Sequence, residues 1–430
     1  MKKKSLSPYV IIALSFLIVI LIGTILLKLP ISIKEDGSLT WIDSLFIATS
    51  ATTITGLTSI SNVGNTFTFF GKFIIGLLIQ IGGLSFITLS TYVLSVFGVK
   101  ISMKDRTLIK ETLNQDSYSG LVRLVRKIIP FTIIVELIGF IINLFVFIPD
   151  YGYEGIGISL FHTVSSFNNS GFDILGVTNN LIGYKDNLLL NISTMSLIVI
   201  GGLGFVVIND LFEKKFKYKK LNIHSKIVLN VTLFLILFGF ISIKIIERDN
   251  ITFLQALFQS ITARTAGFST ISMSNLNTLS LLILMFLMFI GGSPASTAGG
   301  IKTTTFYILL RSIFGSNKKI IINNRYISGE SKNKAYKLMS LYIIIIMIST
   351  FIIIARENSS LIKSIFEVTS AISNTGLSMD FTPTLKPLSK LILILDMYIG
   401  RVGPLTFINL FFYKKEKPSI NYVEEKIIIG

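Results

Sequence analysis

The chain has 430 residues, of which 51% are hydrophobic and only 15% charged, a balance that excludes an ordinary soluble domain and points to a polytopic membrane protein. It has no cysteine, hence no disulfide or thiolate metal site, and its two histidines, His162 and His224, have no partner at metal-ligand spacing. The net charge of +17 does not describe a nucleic-acid-binding surface, because the basic residues collect in alternate loops between apolar segments.

Spanning about 30 Å of hydrocarbon takes roughly 20 apolar residues. Runs of that kind occur at 9–27, 70–97, 128–148, 188–211, 227–245, 279–292, 338–354 and 388–412. The first follows a lysine-rich start, as a signal peptide would. It is too long for one and lacks a small-residue cleavage site, so it reads as the first membrane helix. The run at 279–292 is short and ends in glycines; with the apolar stretch after Lys302 it reads as one interrupted helix. Lys2, Lys3 and Lys4, the segments 100–127 and 311–337, and the cluster Lys214, Lys215, Lys217, Lys219 and Lys220 fall on one side of eight alternating spans. Glu35, Asp36, Asp150, Glu154, Glu247 and Asp249 fall on the other, which predicts cytoplasmic termini.

Between successive pairs of spans lie segments too short to cross, at 41–52, 156–167, 252–263 and 360–372. Each runs into a polar turn: Thr53-Ile54-Thr55-Gly56, Asn168-Asn169-Ser170-Gly171, Arg264-Thr265-Ala266-Gly267 and Asn374-Thr375-Gly376. The glycines recur at roughly 100-residue intervals, and an Ile-Gly pair follows each in step: Ile81-Gly82, Ile200-Gly201, Ile290-Gly291 and Ile399-Gly400. The pattern predicts an all-α membrane protein of four pseudo-symmetric units, 1–100, 101–215, 216–325 and 326–430, each a helix, a re-entrant pore helix, a filter loop and a returning helix around a central pore. Irregular polar backbone survives at membrane depth only where it lines a watery cavity. The negative ends of the short helices would point at the axis and favour a cation. Turn carbonyls would replace its hydration shell. Asp173 and Asp380 are the only acids near the turns and lie outward of the glycines, which favours a monovalent ion.

The motifs TITGL, SFNNSGFD, ARTAGF and SNTGLS, with GGSPASTAGGIKT and GRVGPLT, resemble the Trk/Ktr/HKT superfamily of potassium transporters over almost the whole chain. With eight spans and no additional N-terminal pair, the chain is more similar to the KtrB-type membrane subunit than to the longer TrkH type. The resemblance implies that Gly56, Gly171, Gly267 and Gly376 are the filter glycines and that K+ is the transported ion. Members are commonly stimulated by Na+, an option these residues leave open. It also implies a homodimer in the bacterial cytoplasmic membrane, docked on a soluble nucleotide-binding ring of the KtrA type.

The third returning helix breaks at Gly291-Gly292-Ser293-Pro294-Ala295-Ser296-Thr297-Ala298-Gly299-Gly300, whose unpaired backbone must face water. The resemblance makes this segment a gating loop, and small residues suit a plug that moves at low cost. Arg401 follows Gly400 inside an apolar span, where a charge usually lines a cavity. Gly83, Gly202 and Gly292 are its counterparts, so it is expected at the gate. Arg264 is expected to brace the third turn, and Asp396 is a charge partner for either arginine. No nucleotide site is expected on this chain: Ile301 separates the glycines from Lys302-Thr303, and Gly202-Leu203-Gly204 is an incomplete dinucleotide fingerprint. Two other classes fit these residues less well. An alternating-access cation transporter would show two repeats and a buried titratable site. A membrane enzyme would need a catalytic constellation that these residues do not supply.

Overall fold

The computed structural model describes residues 7–35, 38–113, 117–176, 180–314, 321–322 and 325–412. Lys2 to Lys4, Asp36, parts of the basic segments 100–127 and 311–337, and the tail with Lys414, Lys415, Lys417, Glu424 and Glu425 lie outside the described residues.

The same unit is built four times. Its outer helices are Pro8–Lys28, Leu121–Tyr151, Ile223–Glu247 and Gly329–Glu357. Its short helices are Trp41–Thr52, Glu154–Phe167, Phe253–Thr262 and Leu361–Ile372. The returning segments begin with Phe69–Leu84, Leu188–Leu203, Thr278–Phe289 and Pro387–Val402. Three of the short helices start at a hydroxyl cap: Thr40 accepts from the Asp43 amide at 3.1 Å, Thr252 from Gln255 at 3.2 Å and Ser360 from Lys363 at 3.4 Å.

Each short helix packs against the returning helix of the preceding unit: Glu154–Phe167 on Phe69–Leu84, Phe253–Thr262 on Leu188–Leu203 and Leu361–Ile372 on Thr278–Phe289. Trp41–Thr52 packs on Pro387–Val402, so the fourth unit closes on the first. The Lys390 ammonium, 2.8 Å from Asp43 Oδ1, pins that closure. Small residues make the close approach possible; Ser44, Ala48, Thr49, Ser50 and Ala51 are all buried. The outer helices turn Ile18, Ile22, Ile133, Ile134, Leu137 and Phe351 outward, the apolar surface a bilayer covers. His162 is structural: buried, 2.8 Å from Thr194 Oγ1 and edge-on to Phe147 and Phe268.

One expectation needs correction. The sequence marks an interruption in the third returning helix, yet all four break. Phe69–Leu84 and Phe86–Val96 meet at 85°, and Leu188–Leu203 and Phe205–Glu213 at 92°. Pro387–Val402 stops at Gly403, before Pro404–Phe412. The hinges take positive φ, 64° at Ser85, 90° at Gly204 and 95° at Gly403, a region closed to regular helix. Two of the expected runs, 70–97 and 188–211, are therefore bent pairs rather than straight spans, because mean hydropathy does not register a reversed φ.

Candidate ion pathway

The four polar turns share one backbone geometry. The residue two before each glycine has positive φ although none is glycine: Ile54 at 55°, Asn169 at 56°, Thr265 at 67° and Asn374 at 52°. The glycines follow at 91°, 71°, 79° and 93°. Left-handed backbone at a β-branched isoleucine or threonine is costly and persists only where the surroundings enforce it. Here the short helices enforce it. The amides of Thr55, Ser170 and Thr375 bond back to the carbonyls of Ser50, Ser165 and Ser370 at 2.8, 2.8 and 2.9 Å. The Ala266 amide bonds to Thr262 at 2.9 Å. Hydroxyls add to this: Ser50 and Ser370 each accept from the turn glycine's amide at 3.0 Å, while Ser165 and Thr262 donate to the carbonyls of Phe172 and Phe268.

With their amides committed to the helices, the turns meet one another through glycines and carbonyls. A methyl group on Gly56 would strike the carbonyl oxygen of Ser170, and one on Gly171 that of Ala266, 2.6 Å away. One on Gly267 would strike that of Thr375, and one on Gly376 that of Thr55. These four contacts run from unit one to two, three, four and back to one. Thr55, Ser170, Ala266 and Thr375, each preceding its glycine, thus contribute to a closed four-membered carbonyl ring, with the negative ends of four helices behind it. Thr53 Oγ1 stays within its own unit, bonding the Thr49 carbonyl and Thr55 Oγ1.

The later Ile-Gly pairs now have a physical reason. Cβ atoms on Gly82, Gly201 and Gly400 would strike the carbonyls of Thr52, Phe167 and Ile372, at the ends of the short helices. At Gly291 the contact is instead the carbonyl of Gly299, so the broken segment of the third unit has folded into that place.

That segment touches the second, third and fourth units. Ser293 and Thr297 donate backbone amides to Gly202 and Gly201 at 3.0 and 3.2 Å, and the Phe205 amide donates to Ala295 at 2.8 Å. The Gly292 amide donates to Gly299, and those of Ile301 and Thr303 donate to the carbonyls of Phe289, the last helical residue, and Gly292. Thr297 Oγ1 lies 3.3 Å from Asn169 Oδ1, and the Gly299 amide donates to Thr265 Oγ1 at 3.0 Å, so the segment lies directly against the second and third turns. Ser296 Oγ accepts from the Ala298 amide, and Lys302 Nζ donates to the Ala298 carbonyl at 2.7 Å. A Cβ on Gly300 would meet Gly291, while Pro294 presses its carbonyl on Gly204. Arg401, from the fourth unit, donates to the Thr297 carbonyl at 2.9 Å and to those of Gly82 and Gly83 at 2.5 and 3.1 Å.

The structure thus brings Arg401 and the 291–300 segment together beneath the turns. Arg264 donates to the Gly291 carbonyl at 3.1 Å, bracing the break rather than its own turn. Asp396 pairs with neither arginine; its Oδ1 accepts from Ser349 at 2.9 Å. Two carboxylates that no motif or repeat singles out stand behind the turns. Glu367 accepts from Ser378, Thr382 and the amides of Met379 and Phe381, holding the chain that leaves the fourth turn. Glu136 meets Gln80 and Asn168. Each is an acid with apolar neighbours on both sides in its helix, the signal that marks it.

A family profile described as TrkH, cation transport protein, matches residues 2–423. The Ktr system potassium uptake protein B of Bacillus subtilis is 36% identical over 438 residues, covering 99% of this chain and 97% of its own length. The potassium/sodium uptake protein NtpJ of Enterococcus hirae is 38% identical, covering 100% and 98%. The crystal structure of the potassium transporter TrkH from Vibrio parahaemolyticus superposes with a TM-score of 0.74 at 19% identity, over 95% of this chain and 86% of that one.

Proposed function

The chain belongs to the TrkH family of cation transport proteins, and from that premise we propose that it takes up potassium through the carbonyl ring at Thr55, Ser170, Ala266 and Thr375. The observation that carries this reading is the closed cycle of glycine-to-carbonyl contacts through all four units. Carbonyl oxygens held from behind replace the hydration shell of a monovalent cation without the desolvation penalty that a carboxylate ring would add. Gly56, Gly171, Gly267 and Gly376 admit that approach because they lack a side chain. Sodium is the ion the ring must discriminate against, and it also serves as a candidate stimulator of uptake.

The loop 291–300 acts as the gate in this reading. It lies against the filter, takes its hydrogen bonds from the backbone of units two and three, and is latched by Arg401 to unit one. The guanidinium also sets a positive charge below the filter, raising the barrier for a cation while the loop is closed. Opening exchanges a few hydrogen bonds for water, a low cost for a loop of small residues. The protein is a multi-pass membrane transporter, not an enzyme. Its basic loops are assigned to the cytoplasmic face, with both termini, in a bacterial membrane. There a homodimer would present those loops to a soluble ring of the KtrA type, which carries the nucleotide. The Bacillus relative's designation as part of a Ktr system supports such a partnership. An alternating-access mechanism accords poorly with a fourfold ring.

Purified protein in potassium-loaded liposomes tests the reading. Rubidium should exchange, sodium should exchange far more slowly, and the soluble partner should accelerate flux. Equal flux of both ions, or none with the partner present, would overturn it.

A further inference from the structure

Glu136 sits midway along the outer helix Leu121–Tyr151, among residues that face lipid: Ile133, Ile134, Leu137 and Ile138 are 57%, 58%, 55% and 54% exposed. A carboxylate at that depth is expensive and calls for a reason. Its Oε1 lies 3.3 Å from Asn168 Nδ2 and its Oε2 3.3 Å from Gln80 Nε2, while Gln80 Oε1 accepts from the same Asn168 nitrogen at 2.8 Å. Three side chains from three elements and two units form a triangle; Asn168 Nδ2, which has two hydrogens, gives its shorter bonds to Gln80 Oε1 and to the Val164 carbonyl at 2.9 Å, and Glu136 Oε1 shares one of them.

Asn168 ends the second short helix. It precedes Asn169, with its left-handed φ of 56°, and Ser170, whose carbonyl stands against Gly56. Its Oδ1 rests against the Cα of Gly83, and the Gly83 carbonyl accepts from Arg401. The residues at the same position elsewhere are held differently. Thr53 bonds within its helix, Arg264 reaches Gly291, and Ser373 Oγ has no partner among the described residues. A carboxylate thus anchors this position only in the second unit.

We propose that Glu136 is a positioning residue for the second filter turn, fixing Asn168 so that the Ser170 carbonyl keeps its place in the ring and contributes to potassium-over-sodium discrimination. The inference rests on the transport function proposed above. A carboxylate suits the task because it accepts from both amides at once. Glutamine at 136 would present an N–H toward one of two N–H donors and open the triangle.

The test is rubidium uptake with sodium competition in cells lacking their own potassium importers, at matched amounts of membrane protein. Glu136→Gln should weaken discrimination by about fivefold, the scale of one lost buried hydrogen bond, and raise the apparent KM for rubidium. The exchange variant Glu136→Gln with Gln80→Glu moves the carboxylate across the triangle and should restore discrimination. Wild-type discrimination in Glu136→Gln would overturn the inference alone, as would a fall in maximal uptake with KM and discrimination unchanged. Should Glu136→Gln fail to reach the membrane, the exchange variant decides: wild-type discrimination supports the triangle, sodium leak overturns it. Wild-type protein that carries no rubidium would bring down the transport function and this inference together.

Discussion

Arg401 and Thr297 belong to different repeats, yet the guanidinium of one donates to the carbonyl of the other at 2.9 Å, directly beneath the four polar turns. The same side chain reaches Gly82 and Gly83, so one residue ties the third unit's loop to the first unit. Arg401→Ala removes all three bonds, each charge-assisted bond contributing about 1.5–3 kcal/mol. Basal rubidium flux without the soluble partner should rise by tenfold or more. Arg401→Lys should rise as well, because an ammonium lacks the planar fork that spans Thr297 and the glycine carbonyls. Efflux from loaded liposomes measures both.

Deleting residues 295–298 withdraws the Ala295 carbonyl from the Phe205 amide and the Thr297 hydroxyl from the second polar turn. The shortened loop should no longer cross the pathway, and flux should become large and insensitive to the partner. Folded protein with wild-type basal flux would count against the loop as gate.

The later Ile-Gly pairs yield a stability prediction. Gly82→Ala drives a methyl into the Thr52 carbonyl, whereas Gly157→Ala, in the helix Glu154–Phe167, meets nothing within 4 Å. The first should lower the thermal midpoint in detergent by several degrees and reduce the protein recovered. The second should leave it unchanged or raise it, since alanine is favoured over glycine in a helix by about 1 kcal/mol. Equal midpoints for the two variants would contradict the packing described.

The Asp43–Lys390 pair is 12–13% exposed at its side chains and joins the first unit to the fourth. Removing one partner strands a charge, so Lys390→Met should destabilise more than the double variant Lys390→Met with Asp43→Asn. Thermal unfolding of these two variants, the single Asp43→Asn and wild type closes the cycle.

Much of this was legible in sequence. Gly56, Gly171, Gly267 and Gly376 stood out because a ring of four builds the same turn four times, and Gly82 and its counterparts because each must admit a helix-end carbonyl. What could not be read was geometry without a compositional trace. Ser85 bends a helix as sharply as Gly204 does, but an apolar run looks the same straight or bent. Asp396 looked like an arginine's partner because charges were matched to charges, while its bond goes to Ser349. Glu136 and Glu367 are hidden for a related reason: their partners are amides and hydroxyls, which leave no cluster of acids in the sequence.

Gly376→Ser tests the carbonyl ring most directly. At φ 93° the position disfavours any side chain, and a Cβ there would displace the Thr55 carbonyl. Rubidium uptake should be compared with wild type across a series of sodium concentrations, in cells without their own potassium importers and at matched expression. The account predicts that the serine variant loses rubidium affinity and gains sodium leak. Unchanged discrimination in a fully expressed variant would remove this turn from the filter and contradict the ring.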